Sequence, residues 1–239
     1  MRCSVPMAIS GAYEFSPARA AAAGAAAELI EPGMTVGLGS GRAVWGVMEA
    51  MGARWPQGPP VKVVVASQAT YALAQAAGIE VLPLDGSREL DLALDGADEL
   101  DTGLRLLKGG GGALLREKIV VSAARRFVVV AEISKRVERL GERFPLPVEV
   151  IRFGWRDTRR RLGDVLPDAN RRSVGDEAYQ TDDGHYILDC SLPADADLDR
   201  LDEDVGRLPG VVEHGLFIGM AERALLGTPE GGVEVLVAG

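Results

Sequence analysis

The chain has 239 residues, of which 47% are hydrophobic and 26% charged, and its formal net charge at pH 7 is −9. This length suits one large α/β domain or a medium domain with a smaller one, and the negative charge disfavours nucleic acid as a partner. The chain has two cysteines (Cys3, Cys190), which disfavours a disulfide framework and predicts a reducing, cytoplasmic location. It has two histidines (His185, His214), which disfavours a zinc site. No segment approaches the roughly 20 apolar residues that span a bilayer, so a membrane anchor is disfavoured as well.

The first two thirds of the chain alternate short β-branched runs with helical stretches. Ser16 and Pro17 are typical of a helix start, and Pro32 with Gly33 predicts its end. Strands are predicted over 35–38, 61–66, 79–82, 92–94 and 127–131, and further helices over 42–51, 67–78, 112–124 and 134–140. This alternation predicts an α/β fold, with a mainly parallel sheet and helices on both of its faces.

The pattern changes near Phe144, where prolines interrupt it and longer polar stretches follow. Strands are predicted over 148–152, 185–190 and 210–214, and helices over 155–166 and 198–208. We therefore expect a large domain over 14–142, a small α+β domain over 143–214, and a C-terminal segment, 215–239, that returns to the large domain. Residues 1–13 show no clear pattern.

Three segments follow predicted strands, the position where open parallel sheets bind ligands. The first covers 37–43 and reads Gly-Leu-Gly-Ser-Gly-Arg-Ala. It lacks the Lys-Ser/Thr pair of a Walker A loop, and Arg42 stands where a dinucleotide-binding motif needs its third glycine. Phosphate binding at the N-terminus of the next helix stays open, and so does a tight turn without a ligand.

The second segment, 95–99, places the carboxylates of Asp95 and Asp98 three residues apart directly after an apolar run. Charges in this position need a reason, because burial penalises them. Such carboxylates can move protons between hydroxyl groups, although an ordinary acidic loop or a helix N-cap has the same pattern.

The third segment is a run of four glycines, 109–112, preceded by Lys108 and followed by a predicted helix that contains Glu117. Consecutive glycines are costly in conformational entropy, which favours a backbone that must approach a ligand closely. A lone helix glutamate is usually a solvated surface residue, but Glu117 follows a loop of this unusual kind.

At these residues the sequence resembles the type A ribose-5-phosphate isomerases. The likeness extends over about 16–237 and is most specific over 95–118, with further similarity at 144–150, 210–212 and 227–229. The resemblance implies a Rossmann-like large domain with a small α+β domain inserted late in the chain. It implies an enzyme of the non-oxidative pentose phosphate pathway that uses no metal or cofactor, interconverts D-ribose 5-phosphate and D-ribulose 5-phosphate through an enediolate, and is usually a homodimer or homotetramer.

The resemblance also implies roles for individual residues. Glu117 falls at the family's general base, Asp95 and Asp98 at its aspartate pair, and Lys108 in a substrate-binding segment, where we expect its charge to stabilise the developing oxyanion. The expected substrate-binding residues are Ser40, Gly41, Arg42, Ala43, Asp95, Gly96, Ala97, Asp98, Lys108, Gly109, Gly110, Gly111 and Lys135.

The phosphate loop departs from the family pattern Gly-Thr-Gly-Ser-Thr. Arg42 and Ala43 replace two residues with hydroxyl donors, and Arg19 stands where the family often has lysine. Arginine can hold a phosphate through two parallel hydrogen bonds, so Arg42 is a candidate replacement.

Two alternatives to this isomerase remain from the sequence. The altered loop favours a non-catalytic sensor that binds a phosphosugar, whereas the four retained acid–base residues argue against it. The other alternative is a different enzyme on a related fold, such as a CoA transferase or an amino-sugar-phosphate isomerase.

Overall fold

The computed structural model describes residues 15–237. Cys3 and the stretch 1–13 lie outside the described residues. The chain folds into two compact units, the first formed by 15–96, Arg116–Lys135 and 220–237, and the second by Ala97–Leu115 and Arg136–Gly219.

The helices and strands of the described part are as follows. The helices are α1 (Pro17–Glu28), α2 (Arg42–Arg54), α3 (Gln68–Ala76), α4 (Leu114–Ser122), α5 (Trp155–Leu162) and α6 (Leu198–Gly206). The first eight strands are β1 (Thr35–Leu38), β2 (Lys62–Val65), β3 (Glu80–Val81), β4 (Leu92–Asp95), β5 (Glu99–Leu100), β6 (Leu106–Leu107), β7 (Phe127–Glu132) and β8 (Leu146–Val150). The others are β9 (Asn170–Arg171), β10 (Ser173–Val174), β11 (Glu177–Ala178), β12 (Tyr186–Cys190), β13 (Val211–His214), β14 (Leu216–Phe217), β15 (Arg223–Gly227) and β16 (Val233–Val237).

The first unit is built on a seven-stranded sheet with the strand order β16-β15-β7-β4-β1-β2-β3. All neighbouring strands are parallel except β15 and β16. Successive strand residues point to opposite faces, so Val63 of β2 joins the core under α1 and α2 while Val64 packs with Val120 of α4. The predicted α/β fold, a mainly parallel sheet with helices on both faces, is confirmed.

Small side chains explain how closely α1 and α2 pack. The buried face of α1 consists of alanines, and a Cβ atom added at Gly46 of α2 would lie only 3.2 Å from the Cβ of Ala23. The side chain of Ser16 accepts a hydrogen bond from the N–H of Arg19, so the predicted cap of α1 is present. No helix among residues 15–237 is long and apolar enough to cross a membrane.

The second unit contains a four-stranded antiparallel sheet with the order β13-β8-β12-β9, and a three-stranded sheet with the order β14-β6-β5. Leu146, Val148 and Val150 of β8 point to one face, where they pack with Leu162 of α5 and Val205 of α6. By strand alternation, the side chains between them point to the other face.

One predicted element is wrong. The helix predicted over 134–140 is absent. Only the short 3₁₀ turn Ile133–Lys135 forms, because the N–H of Val137 donates instead to the carbonyl of Leu100 at 2.9 Å. The two-residue strands β5 and β6 lie within Ala97–Leu115, a segment of the second unit, and Val137 also belongs to that unit.

Candidate active site

Four polar positions of the first unit follow strands that run in the same direction. The loop 39–43 follows β1, Ser67 follows β2, Asp95 ends β4, and the turn Ile133–Lys135 follows β7. Because these strands are parallel neighbours, their carboxyl ends lie at one edge of the sheet. In open α/β sheets this edge is where ligands bind.

The loop after β1 packs directly on Asp95. A Cβ atom at Gly39 would overlap the Asp95 carboxylate, and the N–H of Ser40 donates to Asp95 Oδ1 at 3.3 Å. Gly41 has a φ of 95°, which favours glycine, and it precedes α2 without a side-chain cap. The first N–H groups of α2 are therefore available to an anion, next to the exposed side chain of Arg42.

A chain of hydroxyl groups fixes the same loop. The Ser40 hydroxyl donates to Ser67 Oγ at 2.9 Å, Ser67 donates to Thr70 Oγ1 at 3.1 Å, and Thr70 donates to the carbonyl of Gly39 at 3.1 Å. The sequence identified Ser67 only as the cap of α3, a role it also has, and it missed Thr70. The available signal for Ser67 was a hydroxyl residue shortly after a buried parallel strand, whereas no local pattern marked Thr70.

Among the candidate site residues that lie in the first unit, Asp95 and Glu117 are the buried carboxylates. Asp95 is completely buried and accepts a hydrogen bond from the N–H of Gly96 at 2.7 Å. Glu117 is 6% exposed and lies in the first turn of α4, where the partial positive charge of the helix N-terminus stabilises a carboxylate. It is not a solvated surface glutamate.

The geometry of α4 shows towards which edge of the seven-stranded sheet Glu117 lies. Val120, one turn later in α4, packs so closely on β1 that a Cβ atom at Gly37 would lie 2.6 Å from its side chain. The chain then leads to Phe127, at the opposite edge where β7 begins. The N-terminal turn of α4, with Glu117 on the same helix face as Val120, therefore lies towards the carboxyl edge.

Lys135 and Arg19 belong to a polar network around Glu132. Partial burial raises the pKa of Glu132, but the hydrogen bond from Ser16 and the charges of Arg19 and Lys135 outweigh this effect and hold the pKa below its usual value. Arg19 Nη2 lies 3.1 Å from Glu132 Oε2, so the guanidinium of Arg19 forms an ion pair with Glu132.

The second unit contains the lysine and the glycine run. Lys108 is 3% exposed, and its ammonium lies 5.4 Å from the ring centroid of Phe217. Gly109 and Gly112 have φ values of 102° and 83°, and the N–H of Gly112 donates to the carbonyl of Gly109 at 3.0 Å. This tight turn leaves Gly110 and Gly111 exposed.

Asp98 forms a hydrogen bond with this turn. Its Oδ2 accepts the N–H of Gly110 at 2.7 Å, so the second unit brings Asp98 together with the glycine run. Ala97 is half-buried beside it in the chain. In the first unit, Gly96 packs against Ala43, since a Cβ atom at Gly96 would lie 3.3 Å from the Ala43 Cβ.

Glu99, the third acid of the motif, has a structural role. It is completely buried, and its carboxylate accepts the N–H groups of Gly141 and Arg143 at 2.6 Å and of Phe144 at 3.1 Å. These three bonds compensate for burying the charge, so Glu99 fixes the path of the chain into β8.

The cysteine and the two histidines of residues 15–237 lie outside the candidate segments. Burial raises the pKa of the Cys190 thiol to about 12, which makes it unreactive at neutral pH. His185 hydrogen bonds to Glu149, and His214 lies 3.1 Å from the carbonyl of Asp202. Among residues 15–237, no group of three or more His, Cys, Asp or Glu side chains is arranged to hold a metal ion.

A glycine-rich loop before a helix N-terminus and a buried carboxylate, both at the carboxyl edge of a parallel sheet, are typical of Rossmann-like α/β proteins that bind small ligands. The family model of ribose 5-phosphate isomerase A (phosphoriboisomerase A) matches residues 62–231. The chain belongs to this family, and the prediction of a ribose-5-phosphate isomerase is confirmed.

Individual relatives agree with the family match. The ribose-5-phosphate isomerase A of Roseiflexus sp. (strain RS-1) is 48% identical over 209 residues, covering 86% of this chain and 90% of the relative. The solved ribose 5-phosphate isomerase A of Methanocaldococcus jannaschii is 35% identical with a TM-score of 0.85, covering 92% of this chain and 97% of that chain. A D-ribose-5-phosphate isomerase in complex with phospho-erythronic acid is 32% identical with a TM-score of 0.85 and the same coverage. These relatives favour the isomerase over the sensor alternative.

Proposed function

We propose that this protein interconverts D-ribose 5-phosphate and D-ribulose 5-phosphate through an enediolate, with Glu117 as the base. The observation that carries the proposal is a buried carboxylate in the first turn of the helix that follows the glycine run. A surface glutamate would be hydrated, whereas a buried one is free of the water that would compete for the substrate's proton.

The reaction needs one base that acts on two adjacent carbons. Glu117 removes the proton from C2 of the open-chain aldose, the C2 electron pair forms the C1–C2 double bond, and the carbonyl oxygen at C1 takes up the negative charge. The protonated Glu117 then returns the proton to C1, while the O2 proton leaves and O1 gains one, giving the ketose. Asp95 and Asp98 are the proposed carriers of these hydroxyl protons, also during opening of the sugar ring.

Positive charge and main-chain N–H groups complete the proposal. Lys108 stabilises the oxyanion that develops in the enediolate, because a buried ammonium is preorganised and poorly screened. The loop 40–43 binds the phosphate and Lys135 contacts the substrate, so the binding energy of a group remote from the reaction orients the reacting carbons. Gly96, Ala97 and the glycines at 109–111 contribute main-chain contacts to the sugar.

The test is the isomerase assay with ribose 5-phosphate on the wild type and on Glu117→Gln. The variant keeps the shape of the side chain but cannot accept the proton, so kcat should fall at least about 100-fold, the lower range for general base catalysis. Glu28→Gln, at the end of α1 with its side chain 70% exposed, is the matched control. A Glu117→Gln enzyme with near-normal kcat would exclude Glu117 as the base.

We also propose that the enzyme works in the cytoplasm as a homodimer or homotetramer. Its exposed hydrophobic side chains support an assembly: Val233, Val235 and Val237 lie on one side of the edge strand β16 and are 36%, 51% and 56% exposed. Sedimentation equilibrium tests this proposal, and the mass of a single chain would contradict it.

A further inference from the structure

The carbonyl groups of the glycine run are bound by two side chains of the second unit. Arg172, directly after β9, donates from Nη1 to the carbonyl of Gly109 at 2.8 Å and to that of Gly110 at 3.1 Å. The hydroxyl of Tyr179 donates to the carbonyl of Gly111 at 3.2 Å. Three consecutive carbonyls of the loop are therefore fixed from one side.

Arg172 is itself rigidly held. Its Nε and Nη2 atoms donate to the two carboxylate oxygens of Asp189 at 2.9 and 2.5 Å, the two-pronged geometry that orients a guanidinium. Asp189 lies on β12, paired with Asn170 of β9. The N–H of Arg172 donates to the carbonyl of Ile187, also on β12, at 2.9 Å. The guanidinium thus has little freedom to follow a moving loop.

A single peptide group connects Arg172 with Asp98. The carbonyl of Gly109 and the N–H of Gly110 belong to one planar trans peptide, so they point in opposite directions. Arg172 binds its oxygen at 2.8 Å, and Asp98 Oδ2 accepts its N–H at 2.7 Å. A rotation of this peptide would withdraw the donor from Asp98, and Arg172 opposes that rotation.

We propose that Arg172 is a positioning residue of the isomerase, which sets the orientation of the Asp98 carboxylate through the Gly109–Gly110 peptide. This inference rests on the role proposed above for Asp98. A glycine run has the least intrinsic conformational preference of any backbone, so its geometry must be imposed from outside. The sheet of the second unit imposes it, through Asp189 and Arg172.

The test compares Arg172→Ala with Arg172→Lys and with a control on the neighbouring residue. Arg171→Ala removes an arginine whose guanidinium lies 4.8 Å from the centroid of the Trp155 ring. We expect Arg172→Ala to lower kcat about 10- to 100-fold, as a misplacement of about 1 Å can do. Arg172→Lys should recover part of the loss, because lysine keeps a donor but not the planar fork. Arg171→Ala should keep kcat within about twofold.

A double-mutant cycle with Asp98→Asn separates positioning from a purely structural role. If Arg172 acts through Asp98, Arg172→Ala should cause much less further loss of kcat in the Asp98→Asn background than in the wild type. An equal further loss would overturn the proposal, as would near-normal kcat in Arg172→Ala. Should Arg172→Ala fail to fold, the same cycle with Arg172→Lys, checked by its thermal unfolding midpoint, decides.

The outcomes distinguish this inference from the proposed function. Normal turnover in Asp98→Asn would refute the positioning role, since nothing would depend on the orientation of Asp98, and would leave isomerisation by Glu117 intact. Normal turnover in Glu117→Gln would refute the proposed base and leave the coupling between Arg172 and Asp98 measurable.

Discussion

Arg42 is one of the residues at which this chain departs from the family pattern of the phosphate loop. It is the first residue of α2, its side chain is exposed, and the preceding Gly41 supplies no side-chain cap. Ala43 has no hydroxyl and the Ser40 hydroxyl donates to Ser67 Oγ, so Arg42 is the main side-chain donor to a phosphate in this loop. The anion affinity of the loop should therefore depend strongly on one guanidinium.

Arg42→Ala should raise KM for ribose 5-phosphate about tenfold, which corresponds to about 1.4 kcal/mol and is typical of one charge-assisted hydrogen bond. Inhibition by inorganic phosphate should weaken by a similar factor. Arg200→Ala, which removes an 80% exposed arginine of α6, controls for the general loss of positive charge. Equal KM values in the two variants would show that Arg42 does not touch the phosphate.

The glycine run shows, within one element, which positions require glycine. Gly112 has a φ of 83°, and a Cβ atom there would overlap the hydroxyl of Tyr179. Gly111, its neighbour, has no atom within 4 Å of its Cβ position, and its φ is not positive. Only some positions of the run therefore require glycine.

Gly112→Ala should lower the free energy of unfolding by about 2 kcal/mol or more, the sum of left-handed strain and steric overlap. Gly111→Ala is the matched control and should change it by less than about 0.5 kcal/mol. Urea unfolding of both variants measures the difference. Equal destabilisation would mean that the turn adapts to a side chain at residue 112.

Several of the elements that the sequence predicted correctly have continuous hydrophobic patterns or a clear helix cap. Continuous apolar runs identified β2 and β7, and Ser16 and Ser67 marked the starts of α1 and α3. Two-residue strands such as β5 and β6 have no period to detect. The false helix over 134–140 arose because local propensity was overridden by the hydrogen bond between Val137 and Leu100.

The candidate site divides in the same way. Asp95, Asp98, Lys108 and Glu117 are close in sequence and could be identified as a group. Thr70 and Arg172 could not, because their partners, Gly39 and Gly109, are 31 and 63 residues away along the chain. Only the folded backbone brings such groups together. The sequence therefore identified the proposed chemistry better than the residues that support it.

For the molecule as a whole, a chain of net charge −9 also holds several carboxylates in its interior. Glu99 has three main-chain donors, whereas Glu149, on the face of β8 away from α5 and α6, has Thr181 and His185, both at 2.9 Å from its Oε1. Burial raises the pKa of Glu149, and the bonds from His185 and Thr181 offset this only in part. The negative charge of the Glu149 carboxylate therefore lowers the stability of the folded protein by an amount that depends on pH.

The sign of this dependence follows from proton linkage. Because the folded pKa of Glu149 lies above its unfolded value of about 4.3, the folded state binds the proton more tightly, and the resulting stabilisation is lost as pH rises through the folded pKa. Glu149→Gln cannot titrate. The difference between the thermal unfolding midpoints of the variant and the wild type should therefore increase from pH 4 to pH 7, in favour of the variant. The increase should be more than about 2 °C if the linkage exceeds about 1 kcal/mol. Glu138→Gln, at an exposed position of the same unit, should show no such trend, and parallel curves for Glu149→Gln and wild type would contradict the raised pKa.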